Sequence, residues 1–229
     1  MEYNIQNEIK RYLQEYPPAL EVFNNLLEIG DVYAIGGLPR EYMDNGAIKT
    51  LRDADFSIYI KDQSLWDKLL NKIPHKINQF GGHKFQCKEF FVDIWDVKNT
   101  WAFKNNIIRI TDQKYFENLS QSVFLNMDAI VYDITNNRWN KSIYEDAMER
   151  KVLDIVLKEN PFVELNILRA MILRRKYEMV YADTLKNIIC EYSKNNDDFA
   201  EKIMNIQKKR YKNNVLEKEM VQEEIYMCM

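Results

Sequence analysis

Gly36-Gly37-Leu38-Pro39-Arg40 and, further on, Arg52-Asp53-Ala54-Asp55-Phe56-Ser57-Ile58 are the stretches on which the reading of this chain turns. Upstream of them, DVYAI (31–35) is a short β-rich run that stops at the two glycines. Downstream, DFSIYI (55–60) alternates polar and apolar residues, as a strand with one buried face does. The segment between, 38–52, reads as helix and then loop. A strand, a Gly-Gly turn and a helix together make an anion seat. Residues without side chains let backbone N–H groups come close to an anion, and the start of the helix adds its positive end. Arg40, on the first turn, adds a bidentate donor. Gly36, Gly37 and Arg40 are therefore the candidate triphosphate cradle.

Asp53 and Asp55 lie two apart in an extended segment, so they share a face. Two carboxylates there repel unless a cation stands between them, and oxygen-seeking magnesium suits that need. Asp93 is the third acid. It sits in Phe90-Phe91-Val92-Asp93-Ile94-Trp95, an otherwise apolar run where an unpaired charge is costly. Asp93 and Trp95 share one face of that strand, Val92 and Ile94 the other. Three carboxylates on neighbouring strands match two-metal phosphoryl transfer. A one-residue slip would exchange Asp93 for Asp96, which otherwise reads as solvated. The bland readings are a solvated D-x-D strand end and an ordinary tight turn at the glycines.

Outward from this centre, Ile5, Ile9, Tyr12 and Leu13 fall on one helical face, and Pro17-Pro18 breaks the run. Leu20, Phe23, Leu26 and Leu27 begin a second helix, with Gly30 as its C-cap. Leu65, Trp66, Leu69, Leu70 and Ile73 form a helix closed by Pro74. KINQF (76–80), HKFQC (83–87) and EFFVDIWDV (89–97) read as strands around a Gly81-Gly82 turn. NIIRI (106–110) and AIVYDI (129–134) complete a mixed sheet. From about 142 the pattern is all helix. Val152, Ile155 and Val156 share one face before Pro161; Leu165, Leu168, Met171 and Ile172 mark the next helix. Leu185, Ile188, Ile189 and Tyr192 mark another, and Phe199, Ile203 and Ile206 a fourth. The tail, 213–229, is a last helix or frays. The expected organisation is α+β: N-terminal helices (1–30), a mixed-sheet head (31–140) and a helical neck (141–229).

Composition narrows the classes. In 229 residues, 32 Lys plus Arg stand against 35 Asp plus Glu, a net charge of −3, which excludes a globally basic nucleic-acid coat. Apolar residues at 46% exclude bulk disorder. No apolar run approaches the roughly twenty residues of a membrane span, and MEYNIQNEIKRY lacks a signal-peptide pattern, so a cytoplasmic protein without membrane contact is expected. Cys87, Cys190 and Cys228 are far apart and read as incidental thiols. His83 reads as a structural turn histidine. Trp66 and Trp95 read as core. Lys208-Lys209-Arg210 reads as a solvated cluster, and Arg169, Arg174, Arg175 and Lys176 as either a polar helix side or a basic wall.

Gly36-Gly37-x-x-Arg40 followed by Asp53-x-Asp55 resembles the head of class II tRNA nucleotidyltransferases and bacterial poly(A) polymerases, in the polymerase-β superfamily. Gly82-His83 before the Asp93 strand, Phe124-Leu125-Asn126-Met127-Asp128-Ala129-Ile130-Val131-Tyr132-Asp133, and Lys151–Lys176 with Leu168-Arg169-Ala170 extend the resemblance, in order, over about residues 30–177. The resemblance implies that Asp53, Asp55 and Asp93 hold two Mg2+ ions, with Mn2+ as a substitute. It also implies that Gly36, Gly37, Arg40, Asp128 and Arg169 bind a nucleoside triphosphate. The activity implied is template-independent transfer of a nucleotide monophosphate to a hydroxyl: an RNA or DNA 3′ end, a nucleotide or a protein. The chain departs from the family at Gln121-Ser122-Val123-Phe124-Leu125, where an Arg-Arg-Asp-Phe-Thr motif is lost, and at Phe162–Asn166, where base-reading charges are lost. It also ends about where an RNA-binding body would begin. These departures argue against CCA addition. They also favour the alternative, a catalytically inactive nucleotide- or partner-binding fold, which retention of all three acids opposes.

Overall fold

The computed structural model describes residues 5–78, 81–111, 113–211 and 214–229. The chain divides into two compact units. One runs to Ser122 and resumes over Asp128–Ser142; the other takes in Val123–Met127 and Ile143–Met229.

In the first unit, α1 (Ile5–Leu13) and α2 (Pro17–Ile29) precede β1 (Gly30–Ile35). Pro17 suits the first turn of α2, where its missing N–H costs nothing. Gly30 does end α2, but the reason it must be glycine is close approach: a Cβ there would lie 2.0 Å from the Tyr59 carbonyl oxygen. Then follow α3 (Gly37–Asn45), β2 (Asp53–Ile60), α4 (Gln63–Lys72), β3 (His75–Ile77), β4 (His83–Cys87) and β5 (Phe90–Asp96). Asp62 caps α4 by accepting from the Leu65 N–H at 3.0 Å. Two short helices, α5 (Trp101–Lys104) and α6 (Tyr115–Leu119), lead to β6 (Val131–Asp133) and β7 (Arg138–Asn140).

These strands form one seven-stranded mixed sheet, ordered β3-β4-β5-β2-β1-β6-β7. β2 and β5 run parallel; the other neighbours are antiparallel. Alternation sorts the side chains. Val32, Ala34, Ala54, Phe56, Ile58, Phe85, Val92 and Ile94 are buried in one cluster with Ile5, Ile9, Val22, Phe23, Leu26, Trp66 and Leu69 of the helices. Asp53, Asp55 and Asp93 lie on the other face of β2 and β5, with Ser57, Phe91 and Trp95, because successive residues point oppositely.

Several expectations are corrected. NIIRI (106–110) is not a strand: Asn106 has φ +56, and the Ile107 and Ile108 N–H groups fold back onto the Ala102 carbonyl. Of 76–80, the strand takes only as far as Ile77; residues 79 and 80 lie outside those described.

The second unit is mostly helical: α7 (Ser142–Arg150), α8 (Val163–Tyr177), α9 (Asp183–Lys194), α10 (Phe199–Tyr211) and α11 (Lys218–Tyr226), with β8 (Val152–Leu153) paired parallel to β9 (Val180–Tyr181). Val152, Ile155 and Val156 therefore do not form a helical face. Lys151, at φ +54, ends α7, and the following backbone pairs extended with Phe124 and Leu125. Local apolar spacing cannot distinguish the two when a partner strand comes from far along the chain. The tail resolves into α11. Glu224, fully buried, accepts from Arg174 Nε at 2.6 Å and Nη2 at 2.7 Å, from Arg175 Nε at 2.6 Å and from the Tyr181 hydroxyl at 2.6 Å.

Candidate active site

The Gly36-Gly37 turn closes β1. Gly36 adopts φ +68, in the left-handed region that glycine reaches at little cost, and serves as N-cap of α3. Its N–H is held by the Ile130 carbonyl at 3.1 Å, and its carbonyl accepts from the Arg40 N–H at 3.1 Å. Arg40 Nη1 donates to Asp128 Oδ1 at 2.7 Å, with both side chains largely buried. A Cβ on Gly36 would stand 3.7 Å from that same oxygen. Gly36, Arg40 and Asp128 therefore meet at one helix start, although Asp128 is 88 residues from Arg40 in sequence. Gly37 has open space where a Cβ would be.

The acidic row stands on the strand beside this turn. β1 and β2 are antiparallel, with Ala34 opposite Phe56, so the end of β1 and the start of β2 lie together. Across the other edge of β2, the parallel register sets Asp53 opposite Phe91 and Asp55 opposite Asp93. Register partners share a face, so all three acids project from the same side of the sheet. Asp53 Oδ2 accepts from Arg52 Nε at 3.0 Å and Nη2 at 2.7 Å. Asp96 is excluded from the row: it lies opposite Ile58, and its carboxylate caps the Lys98 N–H at 3.0 Å. Burial pushes the Asp96 carboxyl up, against the pull of that N–H and the Lys98 charge.

Asp93 is the most enclosed of the three, its side chain 5% exposed. Its Oδ1 accepts from Asn78 Nδ2 at 3.0 Å, and its Oδ2 is ion-paired with Lys84, which sits opposite it on β4. Asn78 is itself fixed, its Oδ1 accepting from the Gly82 N–H at 2.9 Å. Gly82 cannot be larger, since a Cβ would fall 2.3 Å from Trp95 Nε1. Asn78 and Lys84 were not singled out from sequence. Alternation in HKFQC does turn Lys84 away from Phe85 and Cys87, but only the β4–β5 register sets it against Asp93. His83 lies within β4 rather than in the turn. It shares the core face with Phe85 and packs on Trp66 and His75, away from the acids.

Arg169 is half-buried on α8 of the second unit. Its neighbours Arg174 and Arg175 are committed to Glu224 and Glu223, so they do not make a basic wall. Lys208, Lys209 and Arg210 are exposed.

Among the described residues, no group of three His, Cys, Asp or Glu side chains is arranged to hold a metal ion. The residues fit a divalent cation in part. Asp53 and Asp55 offer hard oxygen donors on one strand face, and magnesium usually takes one or two carboxylates and completes its shell with water and phosphate. Asp93 has both oxygens already engaged. No described helix is long and apolar enough to cross a membrane.

No protein-family model matches the chain, and no curated protein matches it. Solved structures do. A CCA-adding enzyme in complex with ATP superposes with a TM-score of 0.62 at 14% identity, over 95% of this chain and 54% of that one. The CCA-adding enzyme of Thermotoga maritima, complexed with tRNA, gives 0.60 at 14% identity over 93% of this chain and 51% of that one. An apo CCA-adding enzyme gives 0.59 at 16% identity, over 95% and 53%. This chain spans about half the length of those enzymes, and what it shares with them is the fold of a mixed α+β sheet followed by helices.

Proposed function

We propose that this protein is a template-independent nucleotidyltransferase, moving a nucleotide monophosphate from a nucleoside triphosphate to a hydroxyl acceptor other than a CCA end. The observation that carries the reading is the Asp55–Asp93 register pair, with Asp53 on the same face and beside the glycine turn that starts α3. Asp53 and Asp55 present two carboxylates on one face of β2 next to the anion seat, and a hard divalent ion suits that donor set.

The Gly36 turn, the start of α3 and Arg40 seat the triphosphate, and Asp128 orients the Arg40 guanidinium toward that seat. Asp53 and Asp55 face the bound phosphates. A magnesium ion held by them, with manganese as a substitute, would neutralise phosphate oxygens and steady the leaving group. The acceptor oxygen bonds to the α-phosphorus as the bond to pyrophosphate breaks, and the hydroxyl proton passes to the acidic row. The eroded segments at 121–125 and 162–166 argue for a base and acceptor choice unlike CCA addition. RNA, DNA, a nucleotide or a protein are the candidate acceptor classes.

The test is incorporation of each labelled nucleoside triphosphate, with magnesium and a pool of cellular RNA, nucleotides and proteins, by wild type and Asp55→Ala. Label transferred by wild type alone supports the reading. No transfer by either protein, with triphosphate still bound, supports the second reading, a fold that binds nucleotide without catalysis. That reading draws on the engagement of both Asp93 oxygens.

A further inference from the structure

We infer that the Lys84 ammonium stands in for the second cation of this site, so that the protein binds a single divalent ion with its triphosphate. The inference rests on the nucleotidyltransferase reading and goes beyond its expected pair of metal ions. The third acid is built into the sheet around a lysine rather than left open for a metal. Lys84 lies directly opposite Asp93 on β4 and pairs with its Oδ2. Its Nζ also stands 4.7 Å from the centre of the Phe91 ring, so an aromatic face on the same side of the sheet holds the ammonium there. Asn78 takes the other oxygen of Asp93, and the Gly82 N–H locks Asn78 in turn. The close approach of Gly82 to Trp95 fixes that turn.

Electrostatics makes the substitution consistent. A carboxylate this enclosed needs a partner charge, and Lys84 supplies one from within the chain. A divalent ion ligated by Asp93 would have to displace the ammonium, or sit beside it against like-charge repulsion. Asp55 lies on β2, with β5 between it and Lys84, and Asp53 lies two residues along that strand, so these two carboxylates are the ones left to take the single ion. In this arrangement Lys84 is a positioning residue. It neutralises Asp93 and holds it in register with Asp55.

The experiment counts Mn2+ ions bound per chain by electron paramagnetic resonance of the free ion, at saturating non-hydrolysable α,β-methylene ATP. The proteins are wild type, Lys84→Arg, Lys84→Met and Lys84→Gln. One ion is expected for wild type and Lys84→Arg. Two are expected for Lys84→Met or Lys84→Gln, whichever retains the wild-type fold by circular dichroism, because Asp93 is then free to ligate. Two ions in wild type would overturn the inference and leave the nucleotidyltransferase reading standing. One ion in a folded neutral variant would also overturn it. No ion in any protein would overturn both.

Discussion

Replacing Glu224 with glutamine tests how the second unit holds together. The carboxylate is fully buried and takes three short bonds from two guanidiniums and a fourth from the Tyr181 hydroxyl. Glutamine keeps the shape but loses the charge, and it turns an amide N–H2 toward a guanidinium. Removing one partner from a buried ion pair typically costs about 3–5 kcal/mol. The Arg174 and Arg175 side chains are 21% and 27% exposed, so water recovers part of their solvation. The lower end, about 3 kcal/mol, is the expected loss. At roughly 2–4 °C per kcal/mol for a chain of this size, the melting temperature should fall by about 6–12 °C. Thermal unfolding followed by circular dichroism reads the shift, and hydrogen exchange should quicken across α8 and α11. Glu223→Gln is the control. Glu223 pairs with Arg175 at an exposed position, so its loss should shift the midpoint by no more than about 1 kcal/mol allows. A Glu224→Gln midpoint within about 2 °C of wild type would refute the view that this network, rather than apolar packing alone, ties α11 to α8.

Gly30→Ala should unfold or severely destabilise the first unit, since its Cβ meets the Tyr59 carbonyl, whereas Gly37→Ala should leave the melting temperature unchanged; soluble yield and thermal unfolding compare the two. Arg40→Ala strips a charge-assisted bond from the enclosed Asp128 and should cost about 2 kcal/mol, with weaker triphosphate binding by calorimetry. Arg40→Lys should restore part of the binding but not the forked geometry. Burial and the nearby His75 hold the His83 pKa below its ordinary 6.5. The unfolded chain therefore takes up the proton first, and stability should fall as pH drops below 6.5 while staying level above it. Melting curves from pH 5.5 to 7.5 should show a shallower acid-side decline in His83→Asn than in wild type; equal slopes would refute it.

Much of this was legible locally. The strand, glycine turn and helix around 31–45 follow from β-rich residues, two glycines and an amphipathic run, each acting over a few residues. The alternation of DADFSIYI and FFVDIWD separates the acids from the core by the strand's two-residue period. What failed depended on distant partners. NIIRI has strand-like composition, but no strand among the described residues pairs with it, and its backbone folds back onto Ala102. Val152 and Leu153 take a strand conformation because Val180 and Tyr181 arrive beside them.

The sequence alone determined which residues could be acidic, anion-seating or apolar, and on which side of its own strand each would point, since these depend on residue type and backbone period. The tertiary structure decided which of them meet. Register chose Asp93 over Asp96 as the partner of Asp55, chain folding brought Asp128 to Arg40, and β4 delivered Lys84 to the third acid. The physical reason is that pairing across strands is set by the burial of whole faces. A shift of one residue costs the entire core, and no local pattern records which distant strand will pay it.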